Sequence, residues 1–223
     1  IGQVSGQFQS IAATDRTPLI DISEVMSGNG KFIKVSNNGQ SLPDSASLGN
    51  DEDDWACTFD SDTGFLWEVK SSDDGIRDTD WRYAWGNENG SECQNSNNCN
   101  TNDYINRINA DSLCGKHNWT LPNMTELNSL IRRNPRAWRC ADQETGQVSI
   151  RYECIRWIEI SAGKAPMIEN FYFPNTKADI GYWTSTIGEH PDEAELVRFY
   201  EETSSDWGAH YMRFSRAVRL VQK

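Results

Sequence analysis

The sequence predicts an α+β domain of short strands in mixed or antiparallel sheets, with two helices and long loops stapled by disulfides. Three observations carry that reading. Short runs such as "KFIKV" and "WACTFDSDTGFLWEVK" alternate in polarity or are rich in aromatic and β-branched residues, and turn residues bound them. Two stretches between residues 101 and 133 space their apolar side chains three and four apart, as one face of a helix requires. Six cysteines lie among polar loops, and none forms a C-x-x-C pair.

Taken in order, residues 1–30 are weakly patterned and read as an arm or linker, although "PLIDISEVM" has the makings of a short helix or strand. The domain then runs over 31–223. "KFIKV" at 31–35 is a strand, and residues 36–54 are loop. "WACTFDSDTGFLWEVK" is two strands joined by a turn at Asp62-Thr63-Gly64. Residues 71–80 form a polar loop, "WRYAW" is short and aromatic, and residues 86–100 are an Asn/Gly/Ser loop. "TNDYINRINADSL" aligns Tyr104, Ile105, Ile108 and Leu113 on one helical face, with Thr101 or Asn102 as the cap. In "WTLPNMTEL", Asn123 is the cap of a second helix and Glu126 the partner in a capping box; Leu127, Leu130 and Ile131 supply its apolar stripe. "GYWTST" at 181–186 is a strand, "AELVRFYEE" and "WGAHYMRFS" form a hairpin around "TSSD", and "RAVRLVQK" closes the chain as a strand.

Composition bounds the function. The chain carries 9 Trp, 7 Tyr and 8 Phe, too aromatic for a disordered segment, so its core is built on aromatic rings. A net charge of -12 opposes broad nucleic-acid binding, because phosphate is repelled. No apolar run reaches the roughly 18 residues of a membrane span, so no membrane insertion is expected. The opening "IGQVSGQF" lacks an initiating Met and reads as a mature or trimmed start.

The cysteines point to three disulfides and an oxidising compartment. Cys93 and Cys99 bracket "QNSNN", and Cys140 and Cys154 bracket a hairpin-like loop; Cys57 with Cys114 remains as the long-range staple. Residues 131–164 form a basic insertion, with seven Lys and Arg against four Asp and Glu.

"WACTFDSDTGFLWEVK", "LCGKHNWTLPNMTELNSL", "YFPNT", "YWTST" and "RAVRLV" occur in that order. Together they resemble the C-terminal domain family of the Legionella collagen-like adhesin, over about residues 31–221. "NWT" stands where many members read "DWR", the 131–164 segment is longer than usual, and no Gly-X-Y repeat is present. The resemblance implies a C-type-lectin-like fold, distantly akin to formylglycine-generating enzymes. It also implies secretion or surface display, a sulfated-glycan ligand and a homotrimer. "WTLPNMTEL" is then a fold signature that anchors the second helix to the sheet.

Three surfaces are candidate sites. Arg132, Arg133, Arg136, Arg139, Arg151 and Arg156, with Trp138 and Trp157, suit an acidic glycan, since guanidinium groups bind sulfate or carboxylate bidentately and indole faces stack on sugars. The same arginines equally suit pairing with the domain's own carboxylates. Asp51, Asp53, Asp54, Asp73 and Asp74 offer oxygen ligands for Ca²⁺, but without EF-hand spacing, and a solvated loop reads as well. The distal hairpin carries Tyr200, Trp207, His210 and Tyr211; in diversity-generating members of the resembled fold, ligand contacts lie near this end, and the alternative is a solvent-facing hairpin.

No nucleophile motif, P-loop or dinucleotide fingerprint is present, and six stapled cysteines leave no thiol for an oxidase, so an enzyme is not expected. The expectation is an extracellular, non-catalytic adhesin domain that reads a polysaccharide or other surface ligand through its loops. The alternative is a structural module of a fibre or pilus tip that binds protein partners.

Overall fold

Residues 55–68 form the expected hairpin: strands β3 (Trp55–Asp60) and β4 (Phe65–Glu68) pair antiparallel across Gly64, whose positive φ of 75° suits glycine in the turn. The computed structural model describes residues 30–90, 93, 99–131, 140–141, 148–149, 166–199 and 209–223. β1 (Phe32–Ser36) pairs with β3, and β2 (Ser41–Leu42), inside the expected 36–54 loop, extends the edge. Two residues of pairing are too few to leave an alternating pattern, so β2 is not legible locally.

α1 (Thr101–Ala110) is capped by Asn100, one residue before the expected cap; its side chain accepts from the Asp103 N–H at 2.9 Å. Thr101 instead accepts from the Gly86 N–H at 2.8 Å, which fastens the helix start to the loop before it. Leu113 lies beyond the helix, in a 3-10 turn over Leu113–Gly115. α2 (Met124–Asn128) has the full capping box: Glu126 N–H donates to Asn123, and Asn123 N–H donates to the Glu126 carboxylate.

β5 (Cys140–Ala141) and β6 (Val148–Ser149) make a short antiparallel pair within the basic insertion. β7 (Gly181–Ile187), β8 (Glu193–Arg198) and β9 (Ala209–Tyr211) form a three-stranded antiparallel sheet, which includes the expected distal hairpin. β10 (Val221–Gln222) returns to pair with β4 and completes a five-stranded sheet of order β10-β4-β3-β1-β2.

Most of β3 and β4, the Gly181–Thr184 half of β7 and the Leu196–Val197 step of β8 are buried on both faces, which is why "FLW", "GYWT" and "LV" read as continuous apolar runs. Leu66, Trp183, Leu196 and Leu220 enter one core cluster; their neighbours Trp67, Tyr182, Val197 and Val221 enter the other. Trp67, Trp119 and Trp183 are fully buried. At about 25 cal/mol per Å² and ~200 Å² each, every one of these rings contributes roughly 5 kcal/mol before entropy is subtracted.

Trp119 answers for the "WTLPNMTEL" signature. Its indole N–H donates to the Leu113 carbonyl at 3.0 Å, and Asn109 bonds its backbone N–H and C=O together. Ser185 N–H then donates to the Pro122 carbonyl, and Met124 N–H to the Thr186 hydroxyl, so α2 is docked on β7. The Cys57–Cys114 disulfide crosses the first cluster, and Cys93–Cys99 closes a local loop, both as expected. The third expected pair joins Cys140 to Cys154, and Cys154 lies outside the described residues.

Candidate functional site

A polar cluster lies inside the domain. Glu68 and Tyr104 are fully buried, and Lys70 is 3% exposed. Lys70 Nζ donates to Glu68 Oε1 at 2.9 Å and to the Tyr104 hydroxyl at 3.0 Å; the Tyr104 hydroxyl donates to the same carboxylate oxygen. Glu68 Oε2 accepts the Leu220 N–H at 2.9 Å, which ties the C-terminal strand to β4. Burial pushes the Lys70 ammonium below its ordinary value, against the pull of Glu68. Burial and the Glu68 carboxylate push the Tyr104 hydroxyl well up. Nearby, Arg77 gathers the carbonyls of Ala56, Val69 and Gly49, and Arg219 donates to the Glu68 carbonyl and the Thr176 hydroxyl. These groups bond backbone and side chains inside the protein and hold strands together.

The acidic loops close on themselves. Asp54 accepts the Asp51 N–H at 3.0 Å, and Asp53 accepts the Asn38 amide at 3.1 Å. Asp73 accepts the Ser71 hydroxyl, the Asn50 amide and the Gly75 N–H. Burial raises the Asp73 carboxyl, but those hydrogen bonds outweigh it and hold it below the usual carboxylate range. The Asp74 N–H donates to Asp78. Among the described residues, no group of three or more His, Cys, Asp and Glu is placed to hold a metal ion.

Among the described residues, an aromatic and cationic platform lies on the outer surface, at the turn that follows β9. Tyr211 is 42% exposed and Phe214 44%. Their ring centroids lie 6.0 Å apart, edge to face. The Arg213 guanidinium sits 4.7 Å from the Tyr211 centroid and 5.4 Å from that of Phe214. Arg216 lies 5.7 Å from the Phe214 ring, and its Nη2 is 3.5 Å from His210 Nδ1.

This platform is held from beneath. Phe214 N–H donates to the Tyr211 carbonyl at 3.0 Å and closes the turn. Arg216 exchanges both backbone hydrogen bonds with the buried Tyr83, each at 2.9 Å. Trp85 N–H donates to the Met212 carbonyl at 2.8 Å, while the Trp85 indole donates to the Thr184 carbonyl on β7 at 2.8 Å. Met212 N–H reaches the Asp192 carbonyl in the β7–β8 turn at 2.9 Å.

Of the expected ligand-binding residues, His210 and Tyr211 fall at this platform. Tyr200 and Trp207 lie outside the described residues, as do Arg132, Arg133, Arg136, Trp138, Arg139, Arg151, Arg156 and Trp157. Arg213, Phe214 and Arg216 are additions from the structure. Their signal in the sequence is the alternation of aromatic and basic residues in "HYMRFSR", which a strand reading absorbs as ordinary hairpin.

A second exposed ring, Phe171 at 52%, stacks on Lys34, whose ammonium lies 4.7 Å from Phe171 and 4.0 Å from Trp55. That ammonium also donates to the Ala46 carbonyl at 2.8 Å, so its role is to latch the 43–48 loop.

Residues 56–222 match the model of the family described as the Lcl C-terminal domain, which is most of the chain. No curated protein matches, and no solved structure does. Among the described residues, no helix is long and apolar enough to cross a membrane.

Proposed function

The chain belongs to the Lcl C-terminal domain family, and from that premise we propose that it is the non-catalytic recognition domain of a surface adhesin, reading an acidic polysaccharide. The observation that carries this reading is the Tyr211–Arg213–Phe214 platform: two exposed rings with a guanidinium against both. Aromatic faces stack on the apolar faces of sugars, and the planar fork of Arg pairs with sulfate or carboxylate in two parallel hydrogen bonds. The anchoring of the turn to Tyr83 and Trp85 keeps the ordering entropy of binding low. The antiparallel sheets, the two helices and the Cys57–Cys114 staple are compatible with a C-type-lectin-like arrangement. Disulfides of this kind persist in oxidising surroundings, which supports display outside the cell.

The test is an array of sulfated, uronic and neutral glycans, probed with the oxidised protein at low and physiological salt, with and without Ca²⁺. The expected result is a salt-sensitive signal on sulfated or uronic glycans. Arg213→Ala and Tyr211→Ala should each weaken it by at least ~5-fold, the loss of a central contact worth over ~1 kcal/mol. Equal binding by both variants would move the site off this platform. Silence on every glycan would refute the glycan reading and favour a fibre-tip module that docks protein.

A further inference from the structure

Two cystines are described in this domain, and their surroundings differ. Cys57 and Cys114 are both fully buried within the aromatic core, and Cys57 sits on the central strand β3. No thiol reaches those sulfurs without opening the sheet. Cys93 is half-buried, and its partner Cys99 is 5% exposed.

The backbone around the outer cystine is arranged for exchange. The Cys93 N–H donates to Cys99 Sγ at 3.3 Å. A hydrogen bond to sulfur stabilises the thiolate more than the disulfide, so Cys99 is the better leaving group and Cys93 the accessible point of attack. We propose that the Cys93–Cys99 cystine is a thiol–disulfide exchange site that a dithiol partner opens selectively, and that its opening loosens the platform.

The chemistry balances with a dithiol as reductant. A thiolate of the dithiol attacks Cys93 Sγ, the Cys93–Cys99 bond breaks, and Cys99 leaves as thiolate. The second thiol of the partner, as thiolate, then attacks the partner sulfur of the mixed disulfide and releases Cys93. Two electrons pass to the cystine, the partner becomes a disulfide, and its two protons go to Cys93 and Cys99 or to water.

Opening is transmitted through segment 84–86. The Ala84 N–H donates to the Cys99 carbonyl at 2.9 Å, and the Thr101 N–H donates back to Ala84 at 2.8 Å. Gly90 packs so closely on the Cys99 carbonyl that a Cβ there would lie 2.3 Å from the oxygen, so both Ala84 and Gly90 depend on the position of Cys99. The other face of the same segment carries the Trp85 N–H bond to Met212, inside the platform turn. Cys99 in its stapled position therefore sets the 84–86 segment on which Met212 rests. The link to ligand binding rests on the function proposed above; the exchange site itself does not.

The experiment titrates the full, oxidised chain with dithiothreitol, alkylates it and maps the labelled cysteines, with amide hydrogen exchange on the same samples. Cys93 and Cys99 should label at dithiol concentrations that leave Cys57 and Cys114 untouched. The Ala84 and Trp85 amides should exchange about tenfold faster once the outer cystine is open. A Cys93→Ser/Cys99→Ser variant, which keeps the core staple, should show the same exchange and bind immobilised dextran sulfate more weakly than the parent. Labelling of Cys57 and Cys114 together with Cys93 and Cys99, or unchanged protection at Ala84 and Trp85 in the variant, would overturn the proposal. Absence of dextran sulfate binding by the oxidised parent would count against the glycan reading, while labelling and exchange would still decide this one.

Discussion

Replacing Lys70 with Met tests whether the buried ion pair holds the two ends of the domain together. Met keeps the length of the side chain and removes the ammonium. Glu68 then retains the Tyr104 hydroxyl and the Leu220 N–H as donors, but its charge has lost its nearest counterion at 2.9 Å. Breaking a buried pair in this way costs about 3–5 kcal/mol. The substitution also relieves the repulsion that Arg219 and Arg77 exert on Lys70, so the lower end, about 3 kcal/mol, is expected. A domain of this size has about 5–15 kcal/mol in total, so the loss is large but leaves a folded protein to measure.

The assay is urea unfolding followed by tryptophan fluorescence, at pH 7, on Lys70→Met, Glu68→Gln and the double variant. Glu68→Gln leaves the ammonium without a counter-charge, and the amide, with one acceptor oxygen, must turn its NH2 toward a donor, either Lys70 or the Leu220 N–H. In the double variant the amide donates to the Tyr104 hydroxyl instead, and the two losses cease to add. A coupling of about 2 kcal/mol is expected between the substitutions. Strict additivity, or a Lys70→Met protein within about 1 kcal/mol of the parent, would refute the reasoning.

The two described staples should differ in their contribution to stability. Cys57–Cys114 spans 57 residues and Cys93–Cys99 spans 6; loop-closure entropy makes their removal as paired Ala substitutions cost roughly 4 and 2 kcal/mol, measured as shifts in the guanidinium midpoint, and equal shifts would contradict the entropic account. Stability should also fall as pH rises past 10. Burial raises Tyr104 and Tyr83, and burial with the Asp44 hydrogen bond raises Tyr172 to about 12. Groups raised on folding contribute stability that is whole below their ordinary value of 10.0 and is lost as pH climbs through the folded values. Lys70, lowered by burial, acts the other way, but its gain stops at the ordinary 10.5. Thermal midpoints should therefore drop between pH 10 and 12, with tyrosinate absorbance rising in step. Complete tyrosine ionisation at pH 11 in a protein with unchanged near-UV circular dichroism would contradict this.

Local signals were legible wherever the backbone itself imposes them. Asn123 and Glu126 announce a helix start because their side chains bond backbone groups three residues away. Gly64 announces the turn because few other residues accept its φ. The family motifs read in order proved to be a true membership over residues 56–222. The buried triad was not legible. "EVK" looks like an ordinary polar strand end, and Tyr104 lies 36 residues from its partner Glu68. Nothing local marks a lysine for the interior.

The sequence by itself determined the class of fold, most element positions, two disulfide pairs and the family, because these depend on short-range periodicity, turn chemistry and spacing. Tertiary structure alone decided which polar residues are buried, where β10 pairs, and how Tyr211, Arg213 and Phe214 meet over a turn anchored to Tyr83 and Trp85. Those outcomes depend on residues far apart in the chain. Burial changes the strength of a charge and the orientation of a ring, and burial is a property of the packed molecule rather than of any segment.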